Sequence, residues 1–186
     1  MTTRCGAKLL YAMAALLVLG GCASAPYAGY VPHPGQGPTG GDRFASAMLA
    51  MHNAERTQLG LEPLEWDPAL AEAAGGYAET LAASGIFRHS VRASRQGQGE
   101  NLWMGSRGAY DLPQMMGGWL AEKPLYQPGI FPAVSRDGRW EGVGHYTQII
   151  WRGTTSVGCA VRSNPASDYL VCRYSPPGNI FGKPVS

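Results

Sequence analysis

With 186 residues, 45% of them hydrophobic, the chain is long enough for one domain with a sizeable core. Its formal net charge of +2 (15 Lys and Arg against 13 Asp and Glu) gives no electrostatic footprint for nucleic acid. Even that excess is local: without Arg4 and Lys8, and with no acid before Cys22, residues 22–186 balance 13 basic against 13 acidic groups.

The chain opens on Arg4 and Lys8, an apolar run Leu9–Leu19, the small residues Gly20 and Gly21, and then Cys22. That order is the layout of a secretory signal peptide, and the run falls short of the roughly 20 apolar residues a membrane span needs. Leu19-Gly20-Gly21-Cys22 resembles the bacterial lipobox, which implies cleavage before Cys22 and acylation of its thiol and amine. Several acyl chains on one residue give stable anchoring, where one would be marginal. Residues 1–21 are therefore expected to be a lipoprotein signal peptide, and residues 22–42, rich in Gly and Pro, a tether reaching at most about 3.1 Å per residue. The protein is then expected in the cell envelope, on the outer membrane or a periplasmic or extracellular face, held to the membrane by its lipid. Ala23 and Ser24 follow the anchor with no aspartate, which in cells with two membranes resembles outer-membrane sorting.

Residues 43–186 form the domain, predicted as α+β because helices come first and strands late. Ala45, Met48, Leu49, His52, Arg56 and Leu59 fall at helical spacing, with Gly60 as the stop. Asp67 as N-cap and Pro68 at the first position open a second helix that runs to about Ser84, before Gly85. Leu112–Lys123 is a third, with Pro113 early and Pro124 after it, and His145–Trp151 a short fourth. Ser156–Arg162 and Tyr169–Tyr174 alternate as two strands joined by a turn at Asn164–Asp168.

Of the four cysteines, Cys5 leaves with the signal peptide and Cys22 carries lipid, so Cys159 and Cys172 remain. In an exported chain two such residues most simply form a disulfide, contributing about 3 kcal/mol in the chain-entropy model. Outside the tether the histidines are His52, His89 and His145, and Glu100 and Glu122 stand in unusual settings. Trp119 and Glu122, three apart, share a helix face. His52, Asn53 and Arg56 lie on the first helix's apolar stripe and are expected to make buried hydrogen bonds rather than chemistry. Ser90 beside His89 has neither the spacing nor the surrounding motif of an activated nucleophile.

Motifs in a fixed order complete the reading: His52-Asn53-Ala54-Glu55-Arg56; Leu64-Glu65-Trp66-Asp67-Pro68; His89-Ser90; Gly99-Glu100-Asn101-Leu102; Trp119 with Glu122; Gly144-His145-Tyr146-Thr147-Gln148; Gly158-Cys159; and Tyr169 to Asn179. They resemble the CAP superfamily (SCP/TAPS, including cysteine-rich secretory proteins, antigen 5 and plant pathogenesis-related protein 1) over about Arg43 to Pro184, closest to the plant-type branch. The resemblance implies an α-β-α sandwich with a small central antiparallel sheet between helices, and a Cys159–Cys172 disulfide. It also implies a cleft formed by His89, Glu100, Glu122 and His145 that can hold zinc through His89 and His145, with Tyr146 and Gln148 lining it. Neutral imidazole is a good zinc ligand and carboxylates orient it, but two protein ligands leave open positions and weaker binding than a closed site.

Two stretches depart from the family: Val91–Gly99, with Arg88, Arg92 and Arg95 in or beside it, and Pro128–Gly144. The reading is of a monomeric, non-enzymatic binding module for a lipid or other envelope ligand. The alternative is a metal-dependent, protease-like hydrolase with Glu100 or Glu122 as base. A structural or adhesive envelope role is a third reading.

Overall fold

The structure, a computed structural model, describes residues 41–95 and 97–186. The expected signal peptide, Cys22 and tether lie outside the described residues. Among the described residues no helix is long and apolar enough to cross a membrane.

Helix α1 spans Gly41–Gln58, and a two-residue strand β1, Glu65–Trp66, leads into α2, Pro68–Ser84. The caps of α2 are those its sequence implies. The Asp67 carboxylate accepts the amides of Ala69 at 2.8 Å and Leu70 at 3.3 Å, and Gly85 at φ +68° returns its amide to the Leu81 carbonyl. A 3-10 turn, Arg92–Arg95, precedes strand β2, Gly99–Ser106. Helix α3 covers Leu112–Leu120, opened by a capping box between Asp111 and Gln114. After 3-10 turns at Lys123–Leu125 and Trp140–Val143 come α4, Gly144–Ile149, and the hairpin of β3, Ser156–Ser163, with β4, Ser167–Ser175.

Helix α3 ends three residues before the expected Lys123. Pro124 cannot donate to the carbonyl four residues back, that of Leu120, and its ring would strike it. The chain therefore breaks at Ala121 and resumes as a 3-10 turn.

The sheet order is β1-β3-β4-β2. β2, β4 and β3 are antiparallel neighbours, but β1 runs parallel to β3, so the expected antiparallel sheet is mixed at one end. The period of two sorts the side chains onto two faces. Val157, Cys159, Val161, Leu170, Cys172 and Tyr174 face α1, α3 and α4 in the larger core. Ala160, Tyr169, Val171 and Leu102 face Ala74, Ala78 and Leu81 of α2. This is the α-β-α sandwich. Cys159 and Cys172 stand opposite each other in the β3–β4 register and are joined as a disulfide, as expected. Among the described residues, both apolar clusters pack on the one four-stranded sheet.

Candidate functional site

The four expected site residues form two His–Glu pairs, one on each side of edge strand β2. Glu100 points to the α2 face. Its Oε1 accepts from His89 Nδ1 at 2.8 Å and from the Ser90 amide at 3.0 Å. Its Oε2 accepts from the Ser90 hydroxyl at 2.7 Å and pairs with Arg173 Nη2 at 2.9 Å. The Glu100 side chain is fully buried while that of His89 is 54% exposed. Burial by itself would raise the Glu100 carboxyl, but the hydrogen bonds from His89 and Ser90 and the Arg173 guanidinium outweigh it and hold the group below the usual carboxylate range.

The second pair belongs to the other layer. His145, in the first turn of α4, meets Glu122 Oε1 through Nδ1 at 2.5 Å, and Glu122 Oε2 accepts the Tyr146 amide at 2.9 Å. Glu122 sits just past the broken end of α3. Trp119, one turn earlier, stacks on the His145 ring with centroids 5.9 Å apart and 14° between planes. Its indole donates to the Leu102 carbonyl at 3.0 Å, which ties α3 to β2. Asn101, next to Glu100 but pointing to the opposite face, donates to the His145 carbonyl at 3.0 Å and links the two pairs.

In each pair a carboxylate engages Nδ1. An imidazole that donates from Nδ1 keeps its Nε2 lone pair for a ligand, the arrangement in which outer carboxylates orient metal-bound histidines. Two neutral imidazoles oriented by carboxylates are donor types that zinc takes at an open site. It is not a closed cage: among the described residues the one group of three His, Cys or acidic residues whose donor atoms lie within 4.8 Å of one another is His52, Cys159 and Cys172. There the sulfurs are spent on the disulfide. His52 is fully buried, and burial pushes its imidazole down to about 4.

The remaining expectations divide. Tyr146 and Gln148, expected to line the cleft, are both buried. The Tyr146 hydroxyl donates to Glu55 at 2.8 Å, and burial with that bond pushes it well above the usual phenol range. The Gln148 amide serves the chain turn, accepting from the Gly178 amide at 2.9 Å. His52, Asn53 and Arg56 make the buried structural bonds expected of them: Asn53 both donates to the Leu64 carbonyl and accepts its amide. Ser90 gives its hydroxyl to Glu100, so it is not a nucleophile paired with His89. The parts that sequence reasoning passed over are Ser90 and Arg173 as the clamp on Glu100. Both stand inside quoted motifs, but only the β2–β4 register, which sets Glu100 opposite Arg173, joins them.

The profile described as the cysteine-rich secretory protein family (CAP) matches residues 49–174. Pathogenesis-related protein 1C of Nicotiana tabacum is 38% identical over 137 residues, covering 73% of this chain and 76% of that protein. Pathogenesis-related protein PR-1 of Medicago truncatula is 36% identical over 142 residues, covering 75% and 78%. Among solved structures, the crystal structure of NaASP2 with Zn2+ is similar at a TM-score of 0.64 and 28% identity, over 76% of this chain and 83% of that one.

Proposed function

The chain belongs to the cysteine-rich secretory protein family, and on that premise we propose that it is an envelope-anchored binding module, with a lipid or other small envelope molecule as ligand of the His89, Glu100, Glu122 and His145 cleft. His89 and His145 are the residues that would hold zinc there. The ion would act as a Lewis acid that anchors an oxygen of the ligand. The observation that carries this reading is the engagement of both Nδ1 atoms by carboxylates, which leaves two oriented Nε2 atoms for a ligand. The zinc in the crystals of a structural relative supports the choice of metal. The lipobox-like Cys22 supports the anchor.

A binding role is favoured over hydrolysis with Glu100 as base by what that carboxylate already does. It accepts four bonds, from His89, the Ser90 amide, the Ser90 hydroxyl and Arg173, whereas Glu122 accepts two, from His145 and the Tyr146 amide. A general base needs a free lone pair within reach of the water it activates.

Zinc titration by calorimetry on residues 41–186, with His89→Ala, His145→Ala and Glu122→Gln, tests the site. Loss of binding in either histidine variant is expected, with a tenfold to hundredfold weakening in Glu122→Gln. Unchanged affinity in the histidine variants would sink the assignment. Zinc-dependent peptide cleavage abolished by Glu100→Gln, with no lipid captured in a binding screen, would favour the hydrolase instead.

A further inference from the structure

The segment joining α2 to β2 concentrates charge that the rest of the chain dilutes. Residues 86–99 carry Arg88, Arg92 and Arg95 and no acid. Arg92 and Arg95 begin and end one 3-10 turn, the first exposed and the second half-buried. Among the described residues, none of the three has a carboxylate within 4.0 Å; the four ion pairs lie elsewhere. A fourth cation backs them. Arg173 lies over the Tyr77 ring at 5.4 Å, while the Tyr77 hydroxyl donates to the Arg88 carbonyl at 2.6 Å. Nε of Arg173 and of Arg95 are buried without a hydrogen-bond partner among the described residues. Glu100 is the one carboxylate paired with this group, so positive charge is in excess.

The same segment exposes apolar side chains: Ile86, Phe87 and Val91, the last at 72%. A cavity of about 220 Å³ opens between it and α2, lined by Tyr77, Leu81, Ile86, Arg88, His89 and Val91 among others. Exposed apolar residues interleaved with unpaired arginines match one kind of surface, in which acyl chains lie beneath anionic headgroups. Nucleic acid would use the arginines and leave the apolar side chains in water.

We propose that residues 86–95 are a membrane-docking surface for an anionic bilayer, with Ile86, Phe87 and Val91 entering the acyl boundary and the exposed Arg88 and Arg92 holding lipid phosphates. This surface flanks His89, whose ring belongs to the His89–Glu100 pair, and it is distinct from any lipid on Cys22.

Residues 41–186, which lack Cys22, are mixed with phosphatidylcholine vesicles or with phosphatidylcholine–phosphatidylglycerol vesicles, without zinc, and partitioning is read by flotation. Binding is expected on the anionic vesicles alone and should fall with added salt. Arg88→Gln with Arg92→Gln should weaken it about thirtyfold, from about one cation's headgroup attraction each. Phe87→Ser with Val91→Ser should weaken it at unchanged charge. These side chains are exposed, so unchanged circular dichroism melting is expected and certifies the fold. Equal partitioning to both vesicle types, or parent-like binding in either double variant, overturns the proposal. So does loss of vesicle binding to a polyglutamate competitor at the vesicles' own charge concentration, because that marks a general polyanion site. Vesicle binding is read without zinc and zinc binding without vesicles, so failure here and failure of the cleft reading are separable.

Discussion

His52 makes stability depend on pH in a window where carboxylates contribute little. The ring has no exposed surface. Nδ1 is 2.7 Å from the Met48 carbonyl and so donates, which leaves Nε2 to accept from the Tyr174 hydroxyl at 2.9 Å. That hydroxyl in turn accepts from the Asn101 amide at 3.2 Å. Every partner is satisfied by a neutral ring, and a second ring proton would set donor against donor. Burial, with a lesser push from Arg56 and against the pull of the Met48 carbonyl, lowers the imidazole from 6.5 to about 4. The unfolded chain therefore takes up a proton that the folded chain refuses between those values, and stability rises with pH across the window. The contribution is complete above pH 6.5 and is lost as pH falls toward 4. At about 1.4 kcal/mol per pH unit the loss is about 3 kcal/mol, a large share of the roughly 5–15 kcal/mol typical of a domain. Urea unfolding of the parent and His52→Gln at steps from pH 7 to pH 4 measures it. The variant is less stable at pH 7, and the gap should narrow by about 3 kcal/mol by pH 4. The Glu100 carboxyl, held below its usual range, adds acid sensitivity to both proteins and cancels in the comparison. Parallel stability curves would refute the reasoning.

Two further outcomes follow from the packing. Arg56 is buried and donates to the carbonyls of Glu62, Ile149, Trp151 and Thr154, so Arg56→Ala should cost more than about 3 kcal/mol in urea unfolding by leaving buried acceptors unpaired. A loss below about 1 kcal/mol would contradict that role. A Cβ on Gly158 would fall 2.2 Å from the Ala71 amide nitrogen and 2.6 Å from the Asp67 carbonyl, backbone of the first turn of α2 that cannot step aside. Gly158→Ala should therefore lower the melting temperature sharply. Gly76→Ala, on the open side of the same helix, should raise stability by about 0.5–1 kcal/mol, and equal effects at the two sites would count against the packing described.

How far the sequence was legible depended on whether a signal was local. Helix α2 could be read because Asp67, Pro68 and Gly85 mark its ends whatever surrounds them. Strands β3 and β4 were legible from their Val, Cys and Tyr residues on either side of the turn at Asn164, although both are buried on both faces between helical layers. Strand β2 was not: Gly99–Leu102 has no flanking hairpin turn to mark it, and pairing with β4 makes it a strand. β1 is two residues long and exists through its parallel partner β3. The four His and Glu residues could be picked out as motif members, but not their pairing. Once β2 is known, Glu100 and Asn101 must point to opposite faces, which sends one to His89 and the other to His145.

That parity also accounts for where the site lies. Residues from two helical layers are kept apart by a sheet everywhere except around its end, and β2 is the last strand in the order β1-β3-β4-β2. The loop before β2 delivers His89 along the α2 face, and the break at the end of α3 delivers Glu122 along the other. An edge strand otherwise invites pairing with another chain. Here Trp119 takes the Leu102 carbonyl and His145 stacks on the same indole, so one residue links edge strand, helix and site. A helix that continued through Lys123 would carry Glu122 forward with its own turn. The Pro124 break leaves it directed at the first turn of α4, so the helix end that the sequence misplaced is part of what builds the second His–Glu pair.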